Sequence, residues 1–165
     1  MMNPNDSHLE DHDPLQPHSH DNNPEPPYID PTMILIAPDG RQKTISLADL
    51  MADYEQTVIP AYTYMTDHGI HGPYKLEGVG LIDLINQELG SNAEWNEVEV
   101  ISADEFGNRL YRNELAPADF DPVLLCHRSN DDQLRRIQGL IRLVVPSETD
   151  NALRQIKWVR EIRVK

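Results

Sequence analysis

The spacing of apolar and polar residues after residue 31 predicts many short β-strands and few helices. Apolar runs bounded by glycine, proline or other turn residues predict strands over 33–37, 41–46, 57–66, 74–79, 97–103, 108–111, 122–127, 139–145 and 156–164. Apolar residues at helical spacing predict helices over 47–54 and 81–89, with a helical turn over 113–119. This succession predicts an α+β fold with mixed or antiparallel sheets.

The first 31 residues differ from the rest of the chain in composition. They contain seven prolines and few apolar residues, and up to residue 32 there are seven acidic residues with no lysine or arginine. Such a segment cannot bury enough apolar surface to offset the entropy lost on ordering. We therefore predict a disordered tail over 1–31 and a folded domain over 32–165.

Histidines occur repeatedly in this predicted tail. They are His8, His12, His18 and His20. A histidine-rich tract can bind metal ions loosely, and an acidic tail can contact a protein partner. The alternative is a solubilising tail in which the histidines are incidental.

Charge is distributed unevenly along the chain. The formal net charge of -14 disfavours nucleic acid binding, which depends on neutralising phosphates. Residues 128–165 nevertheless contain nine basic and five acidic residues, which either form a local anion site or cover the surface of strands. The chain shows neither a membrane-spanning apolar run nor the basic and apolar blocks of a signal peptide, so we expect a cytoplasmic protein without a membrane partner.

The chain contains one cysteine, Cys126. A single cysteine excludes an intrachain disulfide and any multi-cysteine zinc or iron–sulfur site. Because Cys126 lies on a predicted apolar strand, we expect a buried, unreactive thiol.

Two further histidines, His68 and His71, lie in the stretch T-D-H-G-I-H-G-P between the strands predicted over 57–66 and 74–79. The glycines and the proline favour a loop, in which the imidazoles would hydrogen-bond to nearby backbone. Alternatively, the imidazoles line a pocket, where each neutral ring offers one donor and one acceptor. In a third hypothesis His68, His71 and Asp67 bind zinc or iron and leave one coordination position open.

Three longer segments follow one another in a characteristic order. They are G-V-G-L-I-D-L-I (78–85), V-I-S-A-D-E-F-G-N-R-L (100–110) leading to L-A-P-A-D-F-D-P-V-L-L-C (115–126), and G-L-I-R-L-V-V-P (139–146) followed by I-K-W-V-R-E-I-R-V (156–164). Together they resemble the oxidoreductase molybdopterin-binding domain of the sulfite oxidase family, over residues 33 to 165. The closing pair of segments is the most specific part of the resemblance.

The resemblance implies a mixed-sheet α+β fold and a pterin cofactor held by its pyrophosphate and ring in a basic, polar groove. It also implies that a cysteine thiolate of the protein ligates molybdenum, but the corresponding stretch here, Y-T-Y-M-T-D-H-G (62–69), contains no cysteine. Molybdenum favours a soft sulfur ligand at this position, which Met65, Thr66 and Asp67 cannot supply as a thiolate. The chain also resembles a short single-domain branch of the family, in which a histidine-containing loop replaces the cysteine.

Basic residues of the C-terminal segments face the cofactor phosphates in that family. The resemblance therefore implies that Arg142, Arg154 and Lys157 bind the cofactor, with His68 and His71 in the same pocket. The alternative is that Arg142 points outward from its strand and that Lys157 is a surface residue beside a core tryptophan.

Three functions remain open from the sequence. The first is a domain that binds a pterin cofactor or another phosphorylated small molecule without the usual molybdenum redox chemistry. The second is an oxidoreductase with an altered metal centre at His68 and His71. The third is a non-enzymatic interaction module that uses the acidic tail, so the sequence does not decide whether the protein is an enzyme.

Overall fold

Two β-sheets and two short helices form the fold in the computed structural model, which describes residues 31–148 and 154–165. The strands are β1 (Thr32–Ile36), β2 (Gln42–Ser46), β3 (Thr57–Thr66), β4 (Gly69–Gly80), β5 (Glu97–Ser102), β6 (Gly107–Tyr111), β7 (Leu124–Ser129), β8 (Asp132–Gln133), β9 (Arg142–Val144) and β10 (Val159–Val164). The helices are α1 (Leu47–Ala52) and α2 (Leu81–Leu89), and 3-10 turns occur at Arg112–Glu114 and Arg136–Gln138. Apart from Pro31, the predicted tail lies outside the described residues.

The first sheet has the strand order β2-β1-β10-β5-β6. The closing strand β10 pairs in parallel with β1 and antiparallel with β5, and β1–β2 and β5–β6 are antiparallel hairpins. The last strand of the chain therefore holds an early hairpin and a middle hairpin in one sheet. This arrangement confirms the predicted α+β class with mixed sheets.

The second sheet has the order β3-β4-β7-β8, and β9 also pairs with β7. Strands β3 and β4 form a long antiparallel hairpin, and β3 is an edge strand of this sheet. The main apolar core contains the buried face of α2, contributed by Leu81, Leu84 and Ile85. A smaller core cluster lies along the second sheet and includes Tyr62 and Cys126.

The helices are held by local signals that the sequence carries. Ser46 caps α1 through a reciprocal pair of hydrogen bonds with Asp49, at 3.0 Å in each direction. Gly90 follows α2 with a φ of +90°, a conformation that favours glycine and ends the helix. None of the helices in the described ranges is long and apolar enough to cross a membrane.

Several predicted element boundaries were wrong. Strand β4 begins at Gly69 instead of residue 74, so His71 lies in a strand and not in a loop. The strand predicted over 139–145 is limited to 142–144, because Gly139 and Leu140 have positive φ values of 108° and 57°. The predicted helical turn over 113–119 is reduced to the 3-10 turn at Arg112–Glu114.

The C-terminal half of the core depends on a close contact between two chain segments, which we call the C-terminal junction (residues 139–145 and 155–159). Gly139 lies directly against Lys157, and a Cβ atom at position 139 would approach the Lys157 Cα and Cβ to 2.9 Å. The backbone N–H of Trp158 donates to the Gly139 carbonyl at 3.1 Å. Glycine is therefore required at position 139 both for its positive φ and for space.

Replacing Gly139 by alanine should lower the free energy of unfolding by roughly 2–4 kcal/mol, because strain at positive φ adds to a steric clash. Denaturant unfolding measures the loss. The matched control is Gly40→Ala, since Gly40 also has a positive φ of 88° but has no atom within 4 Å of the added Cβ. The control should lose only about 1 kcal/mol. Equal losses in the two variants would contradict the close contact.

Candidate functional site

The β3–β4 hairpin presents the first group of predicted site residues. Asp67 and His68 are exposed at the turn, whereas His71 is half-buried in β4. His71 is the cross-strand partner of Tyr64, and their rings stack with centroids 5.0 Å apart and planes at 17°. The aromatic contact fixes the His71 ring against the hairpin. The loop predicted from the sequence did not include this contact.

The described residues contain no group of three or more His, Cys, Asp and Glu side chains placed to hold a metal ion. The hairpin turn thus does not present His68, His71 and Asp67 as a formed ligand set. Metal binding by these three residues stays a hypothesis, and it would need the turn to rearrange around the ion.

Arg142 lies in β9 and is fully buried, with 0% of its surface exposed. The outward orientation considered from sequence was therefore wrong, because all three residues of β9 are buried. The Arg142 guanidinium donates to the Gln138 carbonyl at 3.4 Å and lies close enough to Tyr62 and Cys126 to affect both pKa values. Arg142 is thus a buried cation.

Tyr62 lies beside this buried cation and is itself only 3% exposed. Burial raises the pKa of Tyr62 to about 12, although the Arg142 charge and a hydrogen bond from Gln155 act in the opposite direction. The Gln155 Nε2 donates that hydrogen bond to the Tyr62 hydroxyl. The phenol is therefore neutral and held in place at physiological pH.

Lys157 and Arg154 also have partners within the protein. Lys157 is 6% exposed, and its Nζ lies 5.5 Å from the ring centroid of Trp158, so it is not the surface residue considered from sequence. The Arg154 guanidinium donates to Glu114 at 2.9 Å and also to Glu148. Of the three basic residues that the resemblance singled out, two are buried and the third is held by carboxylates.

Cys126 lies in β7 and is fully buried. Its thiol donates to the Arg128 carbonyl at 3.1 Å, and burial raises its pKa to about 12, an effect that the Arg142 charge reduces in part. A thiol of this kind is protonated and shielded at neutral pH. The expected burial of Cys126 is confirmed.

A surface pocket of about 390 Å³ lies beside these buried groups. Residues 59 and 61–63 of β3 form one wall, and residues 118–121 with Pro146 form the rest. Sequence reasoning missed this pocket, because it assigned no binding role to residues 118–121. An aromatic residue between two acids was the one signal available for it.

The chain belongs to the family of oxidoreductase molybdopterin-binding domains, whose family model matches residues 37–165. Among solved structures, it is similar to the sulfane dehydrogenase SoxCD from Paracoccus pantotrophus, with a TM-score of 0.63 at 21% sequence identity. That similarity covers 81% of this chain but only 37% of the other chain, and it shows the fold alone. No curated protein matches the sequence.

The described residues do not fit a molybdenum centre held by a protein thiolate. The single cysteine is a buried, protonated thiol of β7, and the β3–β4 hairpin carries Tyr64, Met65 and the two histidines instead. The cations expected to hold the cofactor phosphates are buried or already paired with carboxylates. Family membership is therefore established, and the described residues show no thiolate placed to ligate molybdenum.

Cys126 should not react with a thiol reagent such as DTNB in the native protein at pH 8, because the thiol is buried and protonated. It should react with one equivalent once the protein is unfolded in denaturant. Ser91→Cys supplies a positive control, since Ser91 is exposed and should provide a rapidly reacting native thiol. Native Cys126 reacting at the rate of the control thiol would contradict its burial.

Replacing Arg154 by methionine should lower the free energy of unfolding by about 1 kcal/mol at pH 7, because both carboxylate partners lose their cation. Burial raises the pKa of Glu114, but the Tyr111 N–H and Arg154 outweigh it and hold that pKa below its usual value. The stabilisation is therefore present above pH 4.5 and is lost as the pH falls through the lowered pKa. Urea unfolding at several pH values measures this difference.

Arg160→Met is the matched control, because Arg160 is an exposed residue of β10 and should change stability little at any pH. An Arg154 variant that loses as much stability below pH 3 as at pH 7 would show that the loss does not come from its ion pairs.

Proposed function

We propose that this domain binds a small molecule and does not carry a thiolate-ligated molybdenum centre. Family membership supports the first part of this proposal, and the burial and protonation of Cys126 on β7 support the second part. Without a protein thiolate, molybdenum would have to use another soft donor such as the Met65 thioether, which supplies no negative charge. Fold alone does not decide activity once the reactive ligand has changed.

The first ligand class to consider is a pterin cofactor or another phosphorylated small molecule, and family membership supports it. Arg154 is the most accessible of the three basic residues, with 26% of its side chain exposed. A phosphate at Arg154 would compete with Glu148 and Glu114 for the same guanidinium. Ligand binding at this position would therefore involve an exchange of ion pairs.

A metal site at the β3–β4 hairpin is the second candidate. It is supported by the exposure of His68 and Asp67 at the turn, with His71 three positions after His68 in β4. Imidazole and carboxylate ligands would suit zinc or iron. This candidate predicts bound metal without pterin.

Full-length protein made without an affinity tag, in cells supplied with molybdate, should contain far less than one molybdenum per chain. Elemental analysis measures the metal, and fluorescence after oxidative release measures the pterin. Pterin near one per chain without molybdenum would identify the ligand, and its recovery should fall in Arg154→Gln but not in Arg160→Gln. Molybdenum and pterin both near one per chain would overturn the proposal.

Further variants distinguish the second candidate, the hairpin metal site, from the first. Zinc or iron near one per chain that disappears in a His68→Ala/His71→Ala variant would establish a hairpin metal site. The control is replacement of His8, His12, His18 and His20 by alanine, because metal lost in that variant belongs to the N-terminal segment.

A further inference from the structure

The pocket beside β3 differs in charge from the basic groove that the family resemblance implied. Asp119 and Asp121 both line it and are exposed, and none of its described lining residues is Lys, Arg or His. Neither carboxylate forms an ion pair within the part of the chain that the structure describes. A site with two carboxylates and no balancing cation attracts positive charge.

Aromatic surface in the same pocket suits the same kind of ligand. Phe120 lies between the two aspartates and is 52% exposed, whereas Tyr62, which also lines the pocket, is only 3% exposed. The face of an aromatic ring attracts a cation, and its area can be covered by the apolar body of a ligand. The lining therefore combines two features that recognise organic cations.

The backbone around the pocket is irregular in a way that is typical of binding sites. Strand β3 is an outer strand of its sheet, and its pairing with β4 shifts register between Ile59 and Tyr62 and again between Tyr62 and Tyr64. Register shifts of this kind redirect side chains and occur often beside functional sites. Both shifts fall at or next to the residues that form the pocket wall.

Tyr62 lines the pocket but is only 3% exposed, and its polar contacts lie inside the protein. Its hydroxyl is held by the Gln155 amide, whose Oε1 is buried and has no hydrogen-bond partner among the described residues. Arg142 does not line the pocket, and its charge lowers the pKa of Tyr62 from the interior. The Glu148 carboxylate raises the pKa of Tyr62. The charge that faces the opening is therefore that of the two aspartates.

We propose that this pocket binds a small organic cation, an amine or guanidine attached to an apolar or aromatic body. The volume of about 390 Å³ is within the range of small-molecule sites. This site is additional to the ligand binding proposed above, and neither depends on the other.

Titration of the full-length, ¹⁵N-labelled protein with benzylammonium, followed by NMR, tests the proposal. We expect saturable shifts at residues 59, 61–63 and 118–121, weakened by added salt because the attraction is ionic. Benzyl alcohol should bind roughly tenfold more weakly, and benzoate should not bind. Equal binding of the three probes, or shifts confined to residues 1–31, would overturn the proposal.

Variants test whether the two aspartates supply the charge that binds benzylammonium. Asp119→Asn/Asp121→Asn should raise the Kd for benzylammonium roughly tenfold, as expected for two partly exposed ion pairs. Asp132→Asn is the matched control, because Asp132 is exposed on β8, away from the pocket lining, and should leave the Kd unchanged. An unchanged Kd in the double variant, or an equal rise in the control, would refute the site. The dispersion of the amide spectrum shows that each variant remains folded.

Discussion

The arrangement of the candidate site depends on the C-terminal junction, where residues 139–145 and 155–159 lie in direct contact. Leu143 and Ile156 exchange backbone hydrogen bonds at 2.8 and 3.2 Å, and the N–H of Val159 donates to the Ile141 carbonyl at 3.0 Å. Because Gly139 carries no side chain, the two segments approach until backbone meets backbone. This contact draws Arg142 and Lys157 into the interior.

Burial of cations changes what they can do. Removing a guanidinium from water carries a large desolvation cost, which must be offset by partners inside the protein. The Arg142 guanidinium donates to the Gln138 carbonyl, and Arg154 binds two carboxylates. An incoming anion therefore has to compete with contacts that already exist.

The sequence was most informative where local chemistry defines an element. The bounds of β3 and α2 agree with the prediction, because a run of β-branched and aromatic residues forms the strand and Gly90 ends the helix. Strands β9 and β10 were predicted to begin at residues 139 and 156, which is too early, because Leu140 and Trp158 have positive φ values of 57° and 53°. Tertiary contacts at the junction impose these conformations, and nothing in the local sequence indicates them.

The orientation of Arg142 shows a second limit of pattern reasoning. An alternating strand with one solvated face would have placed it outward, but β9 is covered on both faces and all its residues are buried. The acidic pocket shows the same limit, because it joins β3 to residues 118–121, which lie far away in sequence.

The sequence by itself determined the fold class, the family and the lack of a cysteine in the β3–β4 hairpin. These features depend on residue type, periodicity and the order of motifs, all of which can be counted along the chain. Only the tertiary structure decided which charged groups are buried, which are paired and which face the pocket. Desolvation and ion pairing depend on neighbours brought together from distant segments, as Arg154 is with Glu114 across 40 positions.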